Sequence, residues 1–353
     1  MPKAIPPSSW IVPSEEETKE GLWFLFVVVC VGIIVFGLWT RLYHQDSKMI
    51  KLGRSSSISW VTWKAHTFDE QAYRTSENYR IVWLIGSSVL RESFDEEFIN
   101  SLLHEQHIPI RIAQFGMDRG AAGLSFPLLR ILPLRKGDII VHSVAASDFR
   151  KDWLKNTRLP TYQLMSLFSY ADFWNISEWS LGEKIEQGVA LPYDYWCFHE
   201  DFTLGITKAW IASSQLRFPK ESKPKYFLKY HKFLSKNKKK ILYGTAHQDY
   251  FSASENDFSP EQFNMYGLQQ MYAIASSNGA TVKLVDIQPS KIYYKSVLNQ
   301  ELQEIWTEWK KKNNVWELPP LPVSEYYDLK HPNRIGRQKL NQHLFTWITN
   351  VDF

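Results

Sequence analysis

The amino-acid sequence predicts an α/β fold in which helices cover both faces of a parallel sheet, behind an N-terminal membrane anchor. Short apolar runs alternate with amphipathic stretches from residue 80 onward, and the first two runs end at Gly86 and Gly116. Strands that alternate with helices along a chain are typical of parallel sheets. The predicted organisation is a tail (1–21), a transmembrane anchor (22–40), a juxtamembrane linker (41–77) and one large domain (78–353).

The composition describes a folded chain and excludes several functional classes. Of the 353 residues, 44% are hydrophobic and 15% are aromatic, which excludes a largely disordered protein. The net charge of +4 is too small to indicate nucleic-acid binding. Cys30 and Cys197 give no disulfide framework, and His104 with His107 is too small a group to predict a metal site. We therefore expect no cofactor, no metal and no nucleic-acid partner.

An uncharged apolar run over residues 22–39 predicts the anchor. As a helix it would reach about 27 Å, close to the ~30 Å hydrocarbon core of a bilayer. Trp23 and Trp39 lie near its two ends, where amphipathic rings favour the membrane interface. Three glutamates at 15–17 precede the run and no small-residue cleavage site follows it, so an uncleaved anchor fits better than a signal peptide.

The charges that flank the anchor bear on its orientation. Cytoplasmic flanks of membrane helices are enriched in lysine and arginine, and more of these residues follow the run than precede it. This count favours a cytoplasmic C-terminal domain. The residues counted are Lys3 and Lys19 before the run, and Arg41, Lys48, Lys51 and Arg54 after it.

Five short apolar runs predict strands. Buried parallel strands have this continuous apolar character, and glycine-containing turns such as the one at 136–138 mark their boundaries. The predicted strands are 80–85, 109–115, 138–144, 240–243 and 281–287.

Four stretches predict helices. Ser259 as N-cap and Pro260 at the first position predict one helix start, and Gly279 predicts the end of that helix. The segment 93–104 is predicted to carry its apolar face on Phe94, Phe98, Leu102 and Leu103. The predicted helices are 93–104, 123–132, 259–278 and 335–348.

Residues 151–239 interrupt this alternation and are predicted to form a Trp-rich insertion over the carboxyl edge of the sheet, where open α/β sheets bind ligands. Its tryptophans can stack on sugars, rest on a membrane or pack in a core. A lysine cluster over 220–240 can meet an anionic lipid or polymer, or form a solvated face. The tryptophans are Trp153, Trp174, Trp179, Trp196 and Trp210.

Two segments far apart in the chain carry a hydrolase-like pattern. Ser88 follows a predicted strand and the turn glycine Gly86, which would present its hydroxyl at the start of a helix. Asp328 and His331 lie three residues apart on a loop before the last helix. A serine nucleophile needs a base, and the base needs a carboxylate that orients it. Each segment alone also fits an ordinary turn or surface loop.

Together these segments resemble the SGNH (GDSL-like) hydrolase superfamily. Gly86-Ser87-Ser88 is similar to its nucleophile block, and Asp328, His331, Pro332 and Gly336 match its Asp-x-x-His-Pro-x-x-x-Gly block in full. The resemblance implies a flavodoxin-like three-layer domain with Ser88, Asp328 and His331 as the catalytic triad.

The middle blocks of the superfamily are matched in part. The resemblance implies that Gly116, after the second strand, is an oxyanion donor together with the Ser88 N–H. The superfamily's third oxyanion donor, usually Asn, aligns with Ser147 in this sequence, and Ala145 stands where the superfamily pattern has Gly. Because losing one oxyanion donor costs on the order of 100- to 1,000-fold in rate, the departure at Ser147 bears on hydrolytic efficiency.

The N-terminal anchor and the Gly-Ser-Ser block are similar to a membrane-anchored branch of the superfamily, which includes the teichoic-acid D-alanine transfer protein and the alginate O-acetylation proteins. This likeness implies a serine esterase or O-acyltransferase that acts on a cell-envelope polysaccharide or glycopolymer, beside a membrane-bound O-acyltransferase. It also implies an extracytoplasmic domain, against the charge count. The alternatives are a non-catalytic scaffold that binds polymer or a membrane partner, and a cytoplasm-facing lipid esterase.

Overall fold

The structure is a computed structural model, and it describes residues 21–35, 57–76, 78–118, 120–151, 168–175, 180–182, 253–291, 293–294 and 298–350. The predicted strand at 240–243, the lysine cluster over 220–240 and most of the insertion at 151–239 lie outside these residues.

The described part of the chain contains a five-stranded, all-parallel sheet of order β2-β1-β3-β4-β5. The predicted α/β fold with a parallel sheet is confirmed. Doubly wound sheets of the flavodoxin-like type share this order, and their ligands bind where the order reverses, between β1 and β3. The strands are β1 (Arg80–Gly86), β2 (Ile110–Gly116), β3 (Ile139–Ser143), β4 (Thr281–Asp286) and β5 (Trp316–Glu317).

Helices flank the sheet. The α-helices are α1 (Ser57–His66), α2 (Glu70–Tyr73), α3 (Ser88–Ser93), α4 (Glu96–Glu105), α5 (Ala122–Ser125), α6 (Tyr170–Asn175), α7 (Phe263–Ser277), α8 (Gln300–Lys312) and α9 (Arg334–Asn350). Short 3₁₀ turns occur at Phe126–Arg130, Ala146–Phe149, Ala253–Glu255 and Val323–Glu325.

Two hydrophobic clusters form the core, one on each face of the sheet. Side chains of a strand alternate between its faces. In β1, Ile81 and Trp83 enter the cluster that holds residues of α1, α5, α7 and α8. Val82 and Leu84 enter the cluster made by α3, α4 and α9. Because both faces are covered, β1 is a continuous apolar run, which is why the sequence signalled it clearly.

The helix predicted at 93–104 is wrong in its start and in part of its buried face. Asp95 caps the amide of Phe98, so α4 begins after it, and Phe94 lies between α3 and α4. Phe98 is 43% exposed, whereas Ile99 and Leu103 are buried. The cap sets where the helix begins, and the buried face of the helix is carried by Ile99 and Leu103.

Two further helix boundaries differ from the prediction. Pro127 interrupts the segment that was predicted as one helix at 123–132. In the structure this segment consists of α5 followed by a 3₁₀ turn. Helix α7 begins at Phe263 because the Gln262 side chain accepts from the amides of Asn264 and Met265, so Ser259 is not its N-cap. Its predicted end at Gly279 is confirmed by a left-handed φ of +69° there.

Helix α8 and the short strand β5 were not predicted. Asn299 caps α8 through the amide of Leu302. Leu302, Trp306 and Trp309 follow at helical spacing and are buried against the sheet. The signal for α8 was thus present in the sequence, whereas β5 is too short to leave one.

The described part of the insertion packs against the core through the buried side chains of Phe168 and Asp172. Asp172, on α6, is buried, and its carboxylate accepts hydrogen bonds from both terminal nitrogens of Arg130, at 2.5 and 2.9 Å. It also accepts the Tyr266 hydroxyl at 2.7 Å and the Ser169 hydroxyl at 2.8 Å. Although burial opposes the charge, these bonds hold the pKa of Asp172 below its usual range.

Residues 21–35 are helical and expose their apolar side chains. Within the residues that the structure describes, no helix has both the length and the apolar character needed to cross a membrane. Residues 36–40 of the predicted anchor lie outside the described residues.

Candidate active site

Ser88 stands at the first position of α3, two residues after the end of β1. Two glycines allow this turn to pack closely. A Cβ at Gly86 would lie 2.3 Å from the Ser143 Oγ, and a Cβ at Gly116 would lie 2.9 Å from the Arg91 Cα. The backbone of α3 therefore rests directly on the end of β2, which fixes Ser88 at the carboxyl edge of the sheet.

Asp328 and His331 lie on a tight loop before α9. The Tyr327 amide donates to the His331 carbonyl at 3.0 Å, and Tyr326 and Pro332 form an antiparallel bridge. Gly336 follows this loop, and a Cβ there would lie 2.5 Å from the Glu325 carbonyl oxygen. Backbone contacts on both sides of the loop thus hold its shape.

Ser88, His331 and Asp328 are joined in series. The Ser88 Oγ lies 3.1 Å from His331 Nε2, and His331 Nδ1 lies 2.8 Å from Asp328 Oδ2. Because an ionised carboxylate can only accept, Nδ1 carries the proton and Nε2 is left to accept from the serine hydroxyl. The structure therefore brings together the three residues that the sequence singled out.

The environment keeps Asp328 ionised. Burial disfavours its charge, but the imidazole of His331 and the backbone amides of His331 and Lys330 outweigh burial and lower the pKa of Asp328. Both amides donate to its Oδ1 at 2.7 Å. One oxygen is thus held by the loop backbone while the other faces the imidazole.

A cavity of about 470 Å³ opens beside the Ser88 hydroxyl, at the carboxyl ends of β1, β3 and β4. This is the edge where the strand order reverses and where open α/β sheets bind ligands. Its lining combines hydroxyl, aromatic and charged side chains. Among them are Ser88, Ser143, Ser147, Asp148, Arg150, Asp286, Tyr293, Tyr294, Trp306, Lys330 and His331.

The predicted oxyanion donors separate into two groups. Ser88 and Ser147 line the cavity, and so does Ala145 at the position where the superfamily has Gly. Gly116 is not among the lining residues. The structure instead gives Gly116 a packing role, since its missing side chain makes room for the Arg91 backbone. Close approach of helix to strand explains this glycine without a role in oxyanion binding.

Asp148 and Asp286 line the cavity, and Lys310, which pairs with Asp286, lies outside its lining. The sequence did not predict these charged groups as a set. Asp286 accepts from Lys310 Nζ at 2.9 Å, and Lys310 also contacts Glu317 at 2.6 Å. Burial disfavours the Lys310 ammonium, yet the two carboxylates outweigh burial and raise its pKa. Asp148 is bonded to the Ala145 amide, but burial and the nearby Asp286 raise its pKa to about 7.

Different signals would have found these residues. Asp286 is the last residue of β4, within the strand predicted at 281–287, and charged residues at strand ends of parallel sheets point to a site. Lys310 required the prediction of α8. Tyr327, whose ring stacks on His331 at a centroid distance of 5.6 Å, has no sequence signal apart from its place beside Asp328.

Two other polar groups do not join the site. Asp118 is half exposed and pairs with Arg91 at 2.9 Å, outside the cavity lining. His104 and His107 are exposed at the end of α4, and the described residues contain no cluster of three or more His, Cys, Asp or Glu that could hold a metal.

Fold and geometry together define an α/β protein whose parallel sheet presents a hydrogen-bonded Ser-His-Asp series at its carboxyl edge. No protein-family model matches the chain, and no curated protein sequence matches it significantly.

Proposed function

We propose that this protein is a membrane-anchored serine esterase or O-acyltransferase of the SGNH type, acting on a cell-envelope polysaccharide or glycopolymer through an acyl-serine intermediate. The observation that carries the proposal is the series Ser88–His331–Asp328, with spacings of 3.1 and 2.8 Å, beside an open cavity. A partly buried imidazole fixed between a serine and an ionised carboxylate is the arrangement that nucleophilic acyl transfer requires.

In the proposed reaction, the Ser88 Oγ forms a bond to the ester carbonyl carbon while its proton moves to His331 Nε2. The tetrahedral intermediate then breaks its bond to the leaving oxygen, which takes the proton from His331. Water or a sugar hydroxyl attacks the acyl-serine, gives its proton to His331, and Ser88 recovers that proton as its ester bond breaks. Asp328 orients the imidazole and stabilises its positive charge at both steps.

Several features support assignment to the SGNH superfamily. The nucleophile candidate follows the first strand, and the base follows the last described strand, just before the closing helix α9. Pro332 and Gly336 of the second motif have packing roles that shape the His331 loop. The position of Gly116 outside the cavity is a departure, so the oxyanion is left to the Ser88 amide and the Ser147 hydroxyl in this proposal.

The membrane and glycan parts of the proposal rest on the sequence. The apolar run at 22–39 supports the anchor, and the mixed aromatic and polar lining of the cavity suits a hydroxyl-rich ligand. The likeness to envelope-modifying proteins supports an extracytoplasmic domain. The side is decided by replacing Cys30 and Cys197 with Ser, introducing a single cysteine on the domain surface, and testing its labelling by a membrane-impermeant maleimide on intact cells.

The activity is tested with a fluorophosphonate probe on the detergent-purified full chain, read by intact mass. In the expected reaction Ser88 Oγ bonds to phosphorus, fluoride leaves and His331 takes the proton. One adduct is expected on the wild type and none on Ser88→Ala or His331→Ala. Ser147→Ala, which keeps the triad, should still form the adduct, although more slowly.

No adduct on correctly folded wild-type protein would remove the catalytic proposal. The runner-up would then be a non-catalytic scaffold of the same fold that binds a polymer or a membrane acyltransferase. The substitutions at the third block, Ala145 and Ser147, favour that alternative. Retention on an immobilised glycopolymer would test it.

A further inference from the structure

Helix α3 contacts the His331 loop at two points rather than one. Ser88 and Glu92 are four residues apart, so their side chains share one face of the helix. The Ser88 hydroxyl meets His331 Nε2 at 3.1 Å. One turn later, the Glu92 carboxylate accepts the Tyr327 hydroxyl at 2.5 Å. Tyr327 immediately precedes Asp328, so the second contact reaches the same loop from its other end.

Tyr327 also lies against the imidazole of His331. The two ring centroids are 5.6 Å apart and the ring planes differ by 14°, which is an offset stack. The backbones are joined as well, since the Tyr327 amide donates to the His331 carbonyl. Because the tyrosine ring covers one side of the imidazole, His331 cannot turn about its side-chain bonds in that direction without displacing Tyr327.

Glu92 is a fixed support for this ring. Its side chain is buried, and its other carboxylate oxygen pairs with Arg91 at 3.2 Å. Arg91 in turn contacts Asp118 at 2.9 Å. A hydrogen bond to a buried carboxylate is stronger than one between neutral groups, so the Tyr327 hydroxyl is held firmly.

We propose that Glu92 and Tyr327 are positioning residues, which hold the His331 imidazole at the angle that points Nε2 toward Ser88. The proposal rests on the proposed function for its kinetic consequence. Asp328 fixes the imidazole from its Nδ1 edge, whereas Tyr327 fixes the plane of the ring from its face. The same short helix then sets both the nucleophile and the orientation of its base.

The size of the effect follows from geometry. A base displaced by about 1 Å from its productive position loses on the order of 100-fold in rate. We expect Tyr327→Leu, which removes both stack and hydrogen bond, to slow labelling of Ser88 by the fluorophosphonate probe by about 100-fold. Tyr327→Phe keeps the stack and loses only the hydroxyl, so it should stay within about tenfold of wild type.

The test combines labelling rates with the state of the imidazole in the full chain in detergent. Rates are measured from pH 5 to 9, and the His331 ring nitrogens are followed by ¹⁵N NMR, with His331→Ala identifying their signals. We expect Tyr327→Leu to lower the plateau of the labelling profile and to change the ¹⁵N chemical shifts of the His331 ring nitrogens. Glu92→Ala and Tyr327→Phe should have similar effects that do not add in the double variant, because both remove one hydrogen bond.

The matched controls are Tyr266→Phe and Tyr266→Leu. Tyr266 also donates its hydroxyl to a carboxylate, that of Asp172 at 2.7 Å, but it does not line the cavity. Its variants should lose stability without changing the labelling profile or the ¹⁵N signals of His331. A merely structural role of Tyr327 would give the same behaviour.

The outcomes separate this proposal from the proposed function. A wild-type rate and unchanged ¹⁵N signals of His331 in Tyr327→Leu would overturn the positioning role while leaving the esterase proposal intact. If wild-type protein does not label at all, the esterase proposal fails. The NMR readout then decides alone, since altered ring-nitrogen signals in Tyr327→Leu support positioning and unaltered signals overturn it.

Discussion

The Lys310 ammonium lies 2.9 Å from the carboxylate of Asp286, which lines the cavity, and both side chains are only 4% exposed. A buried ion pair adds little net stability, but removing one partner leaves an uncompensated charge and costs about 3 kcal/mol or more. This pair joins helix α8 to the end of β4, close to the Ser-His-Asp series.

Lys310→Met should therefore lower the free energy of unfolding at pH 7 by about 3 kcal/mol, measured by urea denaturation. In this variant burial raises the pKa of Asp286 with no ammonium to oppose it, so the loss should shrink as the pH falls and the carboxyl binds a proton. Lys312→Met, two residues further along α8 and exposed, is the control and should be near neutral. A loss that does not depend on pH would contradict the assigned cause.

Asp328→Asn tests the orientation of the imidazole. An asparagine can present an N–H toward Nδ1 and stabilise the wrong tautomer, so we expect labelling of Ser88 to fall by about 10³- to 10⁴-fold while the protein stays folded. Asp257→Asn is the control, since Asp257 also accepts a backbone amide in a loop, that of Ser259 at 2.9 Å. Equal losses in both variants would show that the effect is not specific to Asp328.

Gly336→Ala tests the packing of the second motif. Its added methyl group would lie 2.5 Å from the Glu325 carbonyl oxygen, which belongs to the backbone and cannot rotate away. We expect a loss of about 1–3 kcal/mol in the free energy of unfolding, with slower labelling of Ser88. Gly182→Ala should change neither quantity, since the nearest atom among the described residues, the Ser180 Oγ, would lie 4.0 Å from the added methyl group. Unchanged stability in Gly336→Ala would refute the close approach.

Asp172 gives a prediction about acid stability. Its pKa is lower in the folded protein than in the unfolded chain, so its contribution is complete above the unfolded pKa of about 4 and is lost as the pH falls through the folded value. The free energy of unfolding of wild-type protein should therefore decline below about pH 4 more steeply than that of Asp172→Asn. Parallel curves from pH 2 to 7 would rule out this contribution.

Much of the fold was predictable because its signals are local. Strands β1 to β4 are apolar runs that end at turn residues, and each lies within two residues of its predicted place. Helix starts were less predictable, since more than one residue near each start can cap it. Asp95 caps α4, whose predicted start was residue 93, and Gln262 caps α7, whose predicted start was Ser259.

The sequence by itself determined the alternation of strands and helices that is typical of a parallel sheet, because each element has a local hydrophobic pattern. It also singled out Ser88, Asp328 and His331, because these residues lie in short motifs with fixed spacing. Tertiary structure decided which other groups surround them. It placed Gly116 against Arg91 instead of in the cavity, and it brought Lys310 to Asp286 and Tyr327 to Glu92. These contacts join segments from 24 to 235 residues apart, and strand order and helix packing set such distances rather than any local pattern.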